Sequence, residues 1–166
     1  RAAFVRPKIL NPDGSVQACG RIPHTGWTAL LNGFRLRDPR RVVSPYINQA
    51  GIFQTFNVLG AAFMVRTAVM KELGYFDERY FFCPEDVALS TLANERGYKC
   101  FVNADVVLTH TGCATLSRTV AATCPASAKG SILFHGRSSR VRTLFFSTCF
   151  FALALVKNLG ALAKPR

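Results

Sequence analysis

The sequence predicts a fold of the α/β class for a chain of 166 residues, which is about the length of one domain. Two observations support this class. Short apolar runs typical of strands alternate along the chain with segments that carry helix start and stop signals. In addition, 49% of the residues are hydrophobic, which is enough for a sizeable core and too many for a disordered chain.

The first predicted element is a hairpin at residues 9–17. Pro12 fixes φ at the second position of a tight turn, and Asp13 and Gly14 are residues that tolerate left-handed backbone. Residues 19–50 are rich in Arg, Pro, Gly and Asn and show no clear period. They predict a long loop with short helical pieces.

A strand and a short helix are predicted next. The apolar run at residues 60–65 is typical of a buried strand. Thr67 can cap a short helix that ends near Leu73. Gly74 then suits the left-handed position that commonly ends a helix.

The second predicted helix has signals at both ends. Pro84 is tolerated in a first helical turn, and Glu85 and Asp86 suit the positive end of the helix dipole. The helix runs to about Arg96, with Gly97 as its stop. Its apolar face consists of Val87, Leu89, Leu92 and Ala93.

Two short strands are predicted at 100–102 and 105–109, and a strongly apolar segment follows at 141–163. The uninterrupted part of that segment is shorter than the roughly 20 residues of a spanning helix, and Lys157 and Asn158 interrupt it. Since basic residues flank it, we expect a helix that lies on an anionic membrane surface. Two alternatives stay open: a helix buried against another part of the protein, and a true membrane span.

The charge of the chain is high and unevenly distributed. The formal net charge is +12, yet residues 48–105 are nearly balanced and no acidic residue follows Asp105. Basic flanks favour anionic partners such as nucleic acid, an anionic membrane or phosphorylated substrates. Nucleic acid is not expected, because the sequence has no basic recognition helix and no interleaved aromatic and basic strand face.

The cysteines give little sign of a metal centre. The six cysteines form no CxxC pair, which argues against a zinc site. Their irregular spacing favours reduced thiols in a cytoplasmic protein over a disulfide framework.

Glu85 and Asp86 are the candidate chemical groups. A positioned carboxylate can take a proton from an attacking hydroxyl, which contributes about 10²–10⁴-fold to a rate. The helix N-terminus favours the ionised form of Asp86. From spacing alone, the simpler interpretation is that both acids only complement the helix dipole.

The surrounding motifs favour the chemical interpretation. They occur in a fixed order: the hairpin with Gly20-Arg21, then Gly60-Ala61-Ala62-Phe63-Met64-Val65-Arg66, Gly74-Tyr75-Phe76-Asp77-Glu78, Pro84-Glu85-Asp86-Val87-Ala88-Leu89, Gly97-Tyr98-Lys99 and His110. In this order they resemble the C-terminal half of a family 2 glycosyltransferase, in its rhamnosyltransferase-like branch. The resemblance spans roughly residues 8–115.

The resemblance implies the acceptor-side half of a GT-A (Rossmann-like) glycosyltransferase fold, a mixed sheet with helices on both faces. We assign this partial domain to residues 1–116. A basic linker is expected at 117–140, and an apolar and basic C-terminal helix at 141–166.

The resemblance also assigns roles to single residues. It implies that Asp86 is the catalytic base, with Glu85 beside it. Gly60 and Ala61 would let a sugar approach closely, since they have little or no side chain. His110 would contact the metal or the donor diphosphate, and its alternative role is a polar cap on a strand end. Trp27 and Arg66 are further candidates for substrate contact.

The implied activity is inverting transfer of a sugar from a nucleotide-diphosphate sugar to a saccharide or lipid-linked acceptor in cell-surface polysaccharide synthesis. Mg²⁺ or Mn²⁺ would be the cofactor. The expected location is the cytoplasm, peripheral on the inner face of the cell membrane, with the anionic membrane surface as a partner. The alternative is a non-catalytic membrane-surface module derived from such an enzyme.

Two departures from the family pattern bear on this expectation. Ala88 stands where the family usually has a second acid after the Glu-Asp pair. The sequence also has no D-x-D triplet, the motif that supplies the main metal ligands in the family's nucleotide-binding half. We therefore expect a C-terminal fragment that is inactive and marginally stable by itself.

Overall fold

The computed structural model describes residues 1–18, 27, 46, 48–111, 120–136 and 139–162. The described strands are β1 (Ala2–Leu10), β2 (Ile52–Thr55), β3 (Met64–Val65) and β4 (Lys99–Thr109). The described helices are α1 (Thr67–Leu73), α2 (Glu85–Glu95), α3 (Val120–Gly136) and α4 (Arg140–Leu162). The predicted α/β class is confirmed. One compact unit contains the sheet with α1 and nearly all of α2, and a second contains α3 and α4.

The first unit is built on a mixed sheet with the strand order β2-β4-β1-β3. The central strands β1 and β4 run parallel, and each outer strand pairs antiparallel with its neighbour. Parallel neighbours need a crossover connection, and α1 and α2 lie in it. The two central strands end side by side, at Leu10 and Thr109. The residues after both strands therefore share one edge of the sheet, the edge where ligands bind in open α/β sheets.

The core of this unit lies between the sheet and its two helices. Phe4 of β1 and Cys100 of β4 are 1% and 0% exposed, and Ala93 of α2 is 0% exposed. Val69 and Leu73 of α1 join the same cluster. At about 25 cal/mol per Å² of apolar surface removed from water, this burial is the main term that holds the helices on the sheet.

The predicted hairpin at 9–17 is confirmed at its turn, whereas its return strand is a single bridge. The Gly14 N–H donates to the Asn11 carbonyl at 2.9 Å, which closes a tight turn around Pro12. Gly14 has φ +82°, the left-handed value that the sequence predicted for the turn. Val16 then pairs with Leu10 as an isolated antiparallel bridge.

Two strand predictions need correction. The run 60–65 forms a strand only at Met64–Val65, and Met64 is 72% exposed, so the strand is neither long nor buried. It pairs with β1 at the edge of the sheet, and an edge position leaves one of its sides uncovered. The two short strands predicted at 100–102 and 105–109 are a single strand, β4.

The gap predicted between those two strands corresponds to an irregularity inside β4. The pairing with β1 shifts between Pro7 and Lys8, whose partners are Asn103 and Val107. The Asn103 side-chain oxygen accepts the Asp105 N–H at 3.1 Å. A bulge of this kind places extra residues on one strand without ending the pairing, so the polar residues that suggested a break mark a bulge.

The helix ends were predicted with two errors. Pro84 was expected in the first turn of the second helix, whereas it precedes α2, which begins at Glu85. Arg66, not Thr67, occupies the N-cap position of α1, and no side chain caps it. Gly74 ends α1 with φ +81°, and Gly97 follows α2 with φ +82°, both as predicted. The second helix ends at Glu95, one residue before the predicted end at Arg96.

The second unit contains a pair of helices. The segment expected to be a basic linker at 117–140 is helical over Val120–Gly136, the helix α3. Ala128 and Ile132 of α3 pack on Phe146, Phe150 and Leu153 of α4. Among the described residues, no helix has the length and hydropathy needed to cross a membrane. The loop predicted at 19–50 lies almost entirely outside the described residues.

Candidate active site

Asp86 is held at the start of α2 by two backbone donors. Its Oδ2 accepts the N–H of Gly60, and its Oδ1 accepts the N–H of Val87 at 2.6 Å. The side chain is partly buried. Each carboxylate oxygen has two lone-pair directions, so each keeps one for a further donor. The structure thus brings together two of the predicted site residues, Asp86 and Gly60.

Gly60 leaves little space for a side chain at this contact. A Cβ at residue 60 would lie 3.1 Å from the Asp86 Oδ2 and 3.4 Å from the Asp86 Cβ. The first distance is tighter than ordinary van der Waals contact, so a larger residue would displace either the carboxylate or the loop. The predicted reason for glycine was room for a sugar, whereas the neighbour that the structure shows is Asp86 itself.

The contact between Gly60 and Asp86 is one rung of a ladder between residues 56–60 and α2. The second rung joins the N–H of Val58 to the Ser90 hydroxyl at 3.4 Å. In the third, the Asn94 side-chain amide donates to the Phe56 carbonyl. The three hydrogen bonds involve every second residue of the loop and every fourth residue of the helix. Four helical residues rise about 6.0 Å and two extended residues about 6.6 Å, so the two repeats nearly match.

Further bonds fix the helical side of this ladder. The Ser90 hydroxyl donates to the Asp86 carbonyl at 2.7 Å. The Asn94 amide also donates to the Ser90 carbonyl at 3.2 Å and contacts the Cys100 sulfur at 3.7 Å. Since Ser90 is 0% exposed, the ladder is anchored in the core. The position of the Asp86 carboxylate is therefore supported by polar contacts along about two turns of α2.

Glu85 precedes Asp86 and is partly buried. One of its carboxylate oxygens, Oε2, is fully buried and has no hydrogen-bond partner among the described residues. A buried acceptor without a partner costs about 1–3 kcal/mol, and more when it is charged. Such an oxygen can therefore gain considerably from a donor that a ligand brings.

A second polar cluster lies at the carboxyl ends of β1 and β4. The Asp13 carboxylate accepts the Ser15 hydroxyl at 2.6 Å. Ser15 in turn accepts the Asn11 amide at 2.8 Å, and Asn11 accepts the Gln17 amide at 2.8 Å. The Gln17 side-chain oxygen lies 3.2 Å from Nδ1 of His110. The turn and the end of β4 are thus joined by a relay of side chains.

The donor and acceptor order of this relay fixes the form of His110. The hydrogen bonds from Ser15 hold the pKa of the Asp13 carboxyl below its usual value, so Asp13 is an ionised acceptor at neutral pH. Each following group must then donate toward Asp13, which leaves the Gln17 oxygen as an acceptor for His110. Gln17 also donates to the His110 carbonyl at 2.6 Å. In a neutral imidazole the proton is therefore on Nδ1, and Nε2 carries the lone pair that can bind a metal or accept a hydrogen bond.

The other predicted site residues have no hydrogen bond to Asp86 or His110 among the described contacts. Ala61 is exposed beside Gly60. Arg66 is exposed, its N–H donates to the Ala3 carbonyl at 3.0 Å, and its positive charge acts on the Tyr98 hydroxyl. Trp27 is 63% exposed, and its ring centroid lies 5.6 Å from that of Phe145 on α4. The described contacts of Trp27 thus lie on the second unit.

The described residues do not form a complete metal site. They contain no group of three or more His, Cys, Asp or Glu side chains that could hold a metal ion. His110 offers one nitrogen ligand, whereas Mg²⁺ requires near-octahedral coordination, mostly by oxygen. Within the described residues, His110 can thus supply one contact to a metal or to a diphosphate.

The chain has a recognisable relative among characterised proteins. It is 31% identical over 104 residues to the O-antigen biosynthesis protein RfbC of Myxococcus xanthus. The match covers 62% of this chain and 8% of that protein, so the chain corresponds to a small part of the relative. No protein-family model and no solved structure matches the chain.

Several residues around the site were missed from the sequence. Ser90 and Asn94 follow Asp86 at intervals of four and lie within the predicted apolar face of α2, so their position in a buried face was an available signal. Asn57 is 0% exposed, and neither end of its side-chain amide has a partner within the described structure. Gln17 carried no sequence signal, since its partner is 93 residues away.

Proposed function

We propose that this chain is the acceptor-side part of an inverting family 2 glycosyltransferase. The observation that supports this most is the Asp86 carboxylate, held by the backbone N–H groups of Gly60 and Val87 at the start of α2 with one lone pair free on each oxygen. A carboxylate fixed in this way suits a general base.

The relative supports the broader class of function. Because the named relative is an O-antigen biosynthesis protein, we place this chain in polysaccharide biosynthesis. The chain covers 8% of that protein, so the specific reaction rests on the motifs and on the geometry of Asp86. We propose a nucleotide-diphosphate sugar as the donor and a saccharide or lipid-linked acceptor.

In the proposed reaction, Asp86 takes the proton of an acceptor hydroxyl while that oxygen attacks the anomeric carbon of the donor sugar. The new carbon–oxygen bond forms on one face of the sugar as the bond to the diphosphate breaks on the other. The diphosphate leaves with the electron pair of the broken bond, and the anomeric configuration is inverted. General-base catalysis of this kind contributes about 10²–10⁴-fold.

His110 is proposed to act on the donor side. Its Nε2 lone pair, set by the Gln17 contact at Nδ1, can bind a divalent cation that the donor diphosphate also binds. We propose Mg²⁺ or Mn²⁺ as the cofactor, which neutralises charge on the leaving diphosphate when bound. Within the described residues, His110 would supply one ligand.

The test measures release of nucleotide diphosphate with Mn²⁺, a panel of nucleotide sugars and a lipid-linked acceptor. The chain is joined at residue 1 to a nucleotide-binding domain, so that the donor has a binding site. We expect release to fall by about 10²–10⁴-fold in Asp86→Asn. Glu78→Gln is the matched control, because it removes an exposed charge from the preceding motif.

The outcomes separate the proposal from its alternative. Equal release from the parent and Asp86→Asn would remove Asp86 from the mechanism. Absence of release from a folded parent would contradict the enzyme and favour a non-catalytic membrane-surface module. That alternative has one observation in its favour, the exposed apolar side chains of α4.

A further inference from the structure

Helix α4 carries apolar side chains on two opposite sides. Phe146, Phe150 and Leu153 face α3 and are 4%, 5% and 7% exposed. A second set on the other side is largely exposed. We call this set the outer stripe, and it consists of Val141 (77%), Leu144 (70%), Phe145 (43%), Phe151 (52%), Leu155 (61%), Val156 (59%) and Leu159 (58%).

The outer stripe follows one face of the helix and is interrupted once, at the exposed Thr148. Its members are related by intervals of three, four and seven residues, the spacings that place side chains on one face. From Val141 to Leu159 it extends for about 27 Å. A helix on the surface of a globular protein normally carries polar residues on its outer side, so this face requires an apolar environment.

The charge around α4 indicates what kind of apolar environment the outer stripe contacts. After Asp105 the chain contains no acidic residue. The basic residues in that part of the chain are Arg118, Lys129, Arg137, Arg140, Arg142, Lys157, Lys164 and Arg166. Arg140 and Arg142 are exposed at the start of α4. At about 100° per residue, they stand on either side of the outer stripe. An apolar face with flanking cations is the pattern of helices that lie in the headgroup region of anionic bilayers.

Trp27 extends this surface. Its ring lies against Phe145, a member of the outer stripe, with a centroid separation of 5.6 Å, and it is 63% exposed. Tryptophan is enriched at membrane–water interfaces because its ring is apolar and its N–H is polar. The earlier expectation that Trp27 stacks on a sugar is therefore less well supported than a role at this surface.

We propose that the outer stripe of α4, together with Trp27, docks on the surface of an anionic lipid bilayer. The helix lies in the plane of the interface, with the outer stripe toward the acyl chains and the arginines at the headgroups. This proposal does not depend on the glycosyltransferase activity, because it assigns no role to Asp86 or His110.

The experiment uses the full chain and two kinds of vesicle. One kind is phosphatidylcholine alone, and the other is equal parts of phosphatidylcholine and phosphatidylglycerol. Trp27 is the single tryptophan of the sequence, so its fluorescence reports on this surface without labelling. We expect a blue shift and co-flotation with the anionic vesicles. Binding should weaken between about 0.1 M and about 1 M salt, where the screening length falls from about 10 Å to about 3 Å.

Paired variants test the role of the outer stripe. Leu144→Asp combined with Leu155→Asp should weaken binding to anionic vesicles at least about tenfold, because it places two charges in the apolar face. Ile52→Asp is the control, since Ile52 of β2 is 68% exposed and thus similar to Leu144. Both substituted leucines are exposed, so the helical circular dichroism should be unchanged. Arg140→Gln with Arg142→Gln should weaken binding at low salt only.

Three results would overturn the proposal. The first is no binding to the anionic vesicles. The second is binding that the two aspartates leave unchanged or that Ile52→Asp reduces equally. The third is a concentration-dependent dimer in sedimentation, without vesicle binding, that the aspartate variant abolishes. That result would assign the outer stripe to a second copy of the chain.

Discussion

His110 illustrates how distant residues set the chemistry of one side chain. Its ring is oriented by Gln17, which is held in turn by Asn11 in the turn after β1. The relay ends at Asp13, whose ionised carboxylate can only accept. An imidazole with its proton on Nδ1 keeps a lone pair on Nε2. Without an acceptor at Nδ1, the proton of a neutral His can be on either ring nitrogen.

Replacing Gln17 should change the tautomer of His110. In Gln17→Leu the acceptor at Nδ1 is removed, so we expect the proton to redistribute between the two ring nitrogens. The ring ¹⁵N shifts of His110 measure this directly, because protonated and unprotonated nitrogens have different resonances. The measurement is made above pH 8, where an ordinary imidazole is neutral.

Gln54→Leu is the matched control for this experiment, since Gln54 is an exposed glutamine on β2. It should leave the His110 shifts unchanged. A parent spectrum with the proton on Nε2, or a Gln17→Leu spectrum identical to the parent, would contradict the relay. In either case the polar cluster would be a structural feature of the turn alone.

Gly60 should tolerate no side chain without cost. In Gly60→Ala the new Cβ would lie 3.1 Å from the Asp86 Oδ2, so either the carboxylate or the loop must move. We expect a loss of about 1–3 kcal/mol in the free energy of unfolding, the usual cost of overpacking. Urea unfolding measures it, and Ala68→Ser, at an exposed position of α1, should change stability by less than about 0.5 kcal/mol.

At the scale of single residues, the sequence suggested candidate site residues but did not predict which residues they contact. Asp86 and Gly60 were both named, yet their mutual contact was not expected, because a contact across 26 residues has no local signal. The same holds for Gln17 and His110. Trp27 was assigned to sugar binding from its chemistry alone, and the structure places it against Phe145.

Among the elements, α2 does most to position the candidate base. Its residues Asp86, Ser90 and Asn94 each receive or make a hydrogen bond with the loop at 56–60. Each rung satisfies a backbone group of the loop. The loop is therefore fixed by polar contacts to α2, while Leu89 and Ala93 of the same helix pack in the apolar core.

Asn94 of this ladder, which is partly buried, and the buried Asn57 should respond in opposite ways to the same substitution. Asn94→Leu removes the donor for the Phe56 carbonyl, so we expect a loss of about 1–3 kcal/mol. Asn57→Leu removes an amide that is buried and without a partner among the described residues, so we expect unchanged or higher stability. Urea unfolding of both variants gives the comparison.

The pair acts as its own control, because the chemical change is identical. Destabilisation of similar size in both variants would mean that the change in shape decides the result. A large loss in Asn57→Leu alone would mean that a bound water or ligand satisfies its amide in solution.

Element positions were predicted where local signals were strong. Gly74 and Gly97 marked the helix ends within one residue, since a left-handed position selects glycine. The strands were harder. The bulge in β4 depends on pairing with β1, and the edge position of β3 depends on strand order. Neither property is encoded in the residues of the strand itself.

For the molecule as a whole, we expect the free energy of unfolding to decrease at alkaline pH. Burial raises the pKa of the Cys100 thiol to about 12, although its contact with Asn94 opposes this. The hydrogen bond to Glu72, at 2.6 Å, raises the pKa of the Tyr98 hydroxyl. Both groups lose their protons more easily in the unfolded chain. Their contribution is therefore complete below the unfolded pKa and is lost as pH rises toward the folded value.

The contribution of Cys100 can be isolated by substitution. Between about pH 9 and pH 12 it should lower the free energy of unfolding by up to about 1.4 kcal/mol per pH unit. The difference in stability between the parent and Cys100→Ala should therefore shrink with rising pH, since every other ionisable group is common to both. Urea unfolding across this pH range measures the difference. Cys149→Ala is the control, because Cys149 is only partly buried, and a parallel decline of all three proteins would contradict the assignment.

The sequence showed that the basic residues are concentrated in particular regions of the chain. Only the structure of α4 shows which apolar side chains two of them flank. From composition alone the basic flank could serve several kinds of anionic partner. The outer stripe between Arg140 and Arg142 is the observation on which we propose a surface that is both anionic and apolar. The segment expected to be a linker proved to be the helix that covers the inner side of α4.

The matching of two repeats along α2 also limits how the chain can vary in length. The backbone groups of residues 56, 58 and 60 face α2. Deleting or inserting one residue at 57–59 would turn the groups on one side of the change away from the helix, so that their hydrogen bonds to α2 would be lost together. The repeats also drift apart by about 0.6 Å per rung, so a ladder much longer than three rungs would fail. Length changes in related sequences should therefore avoid this stretch.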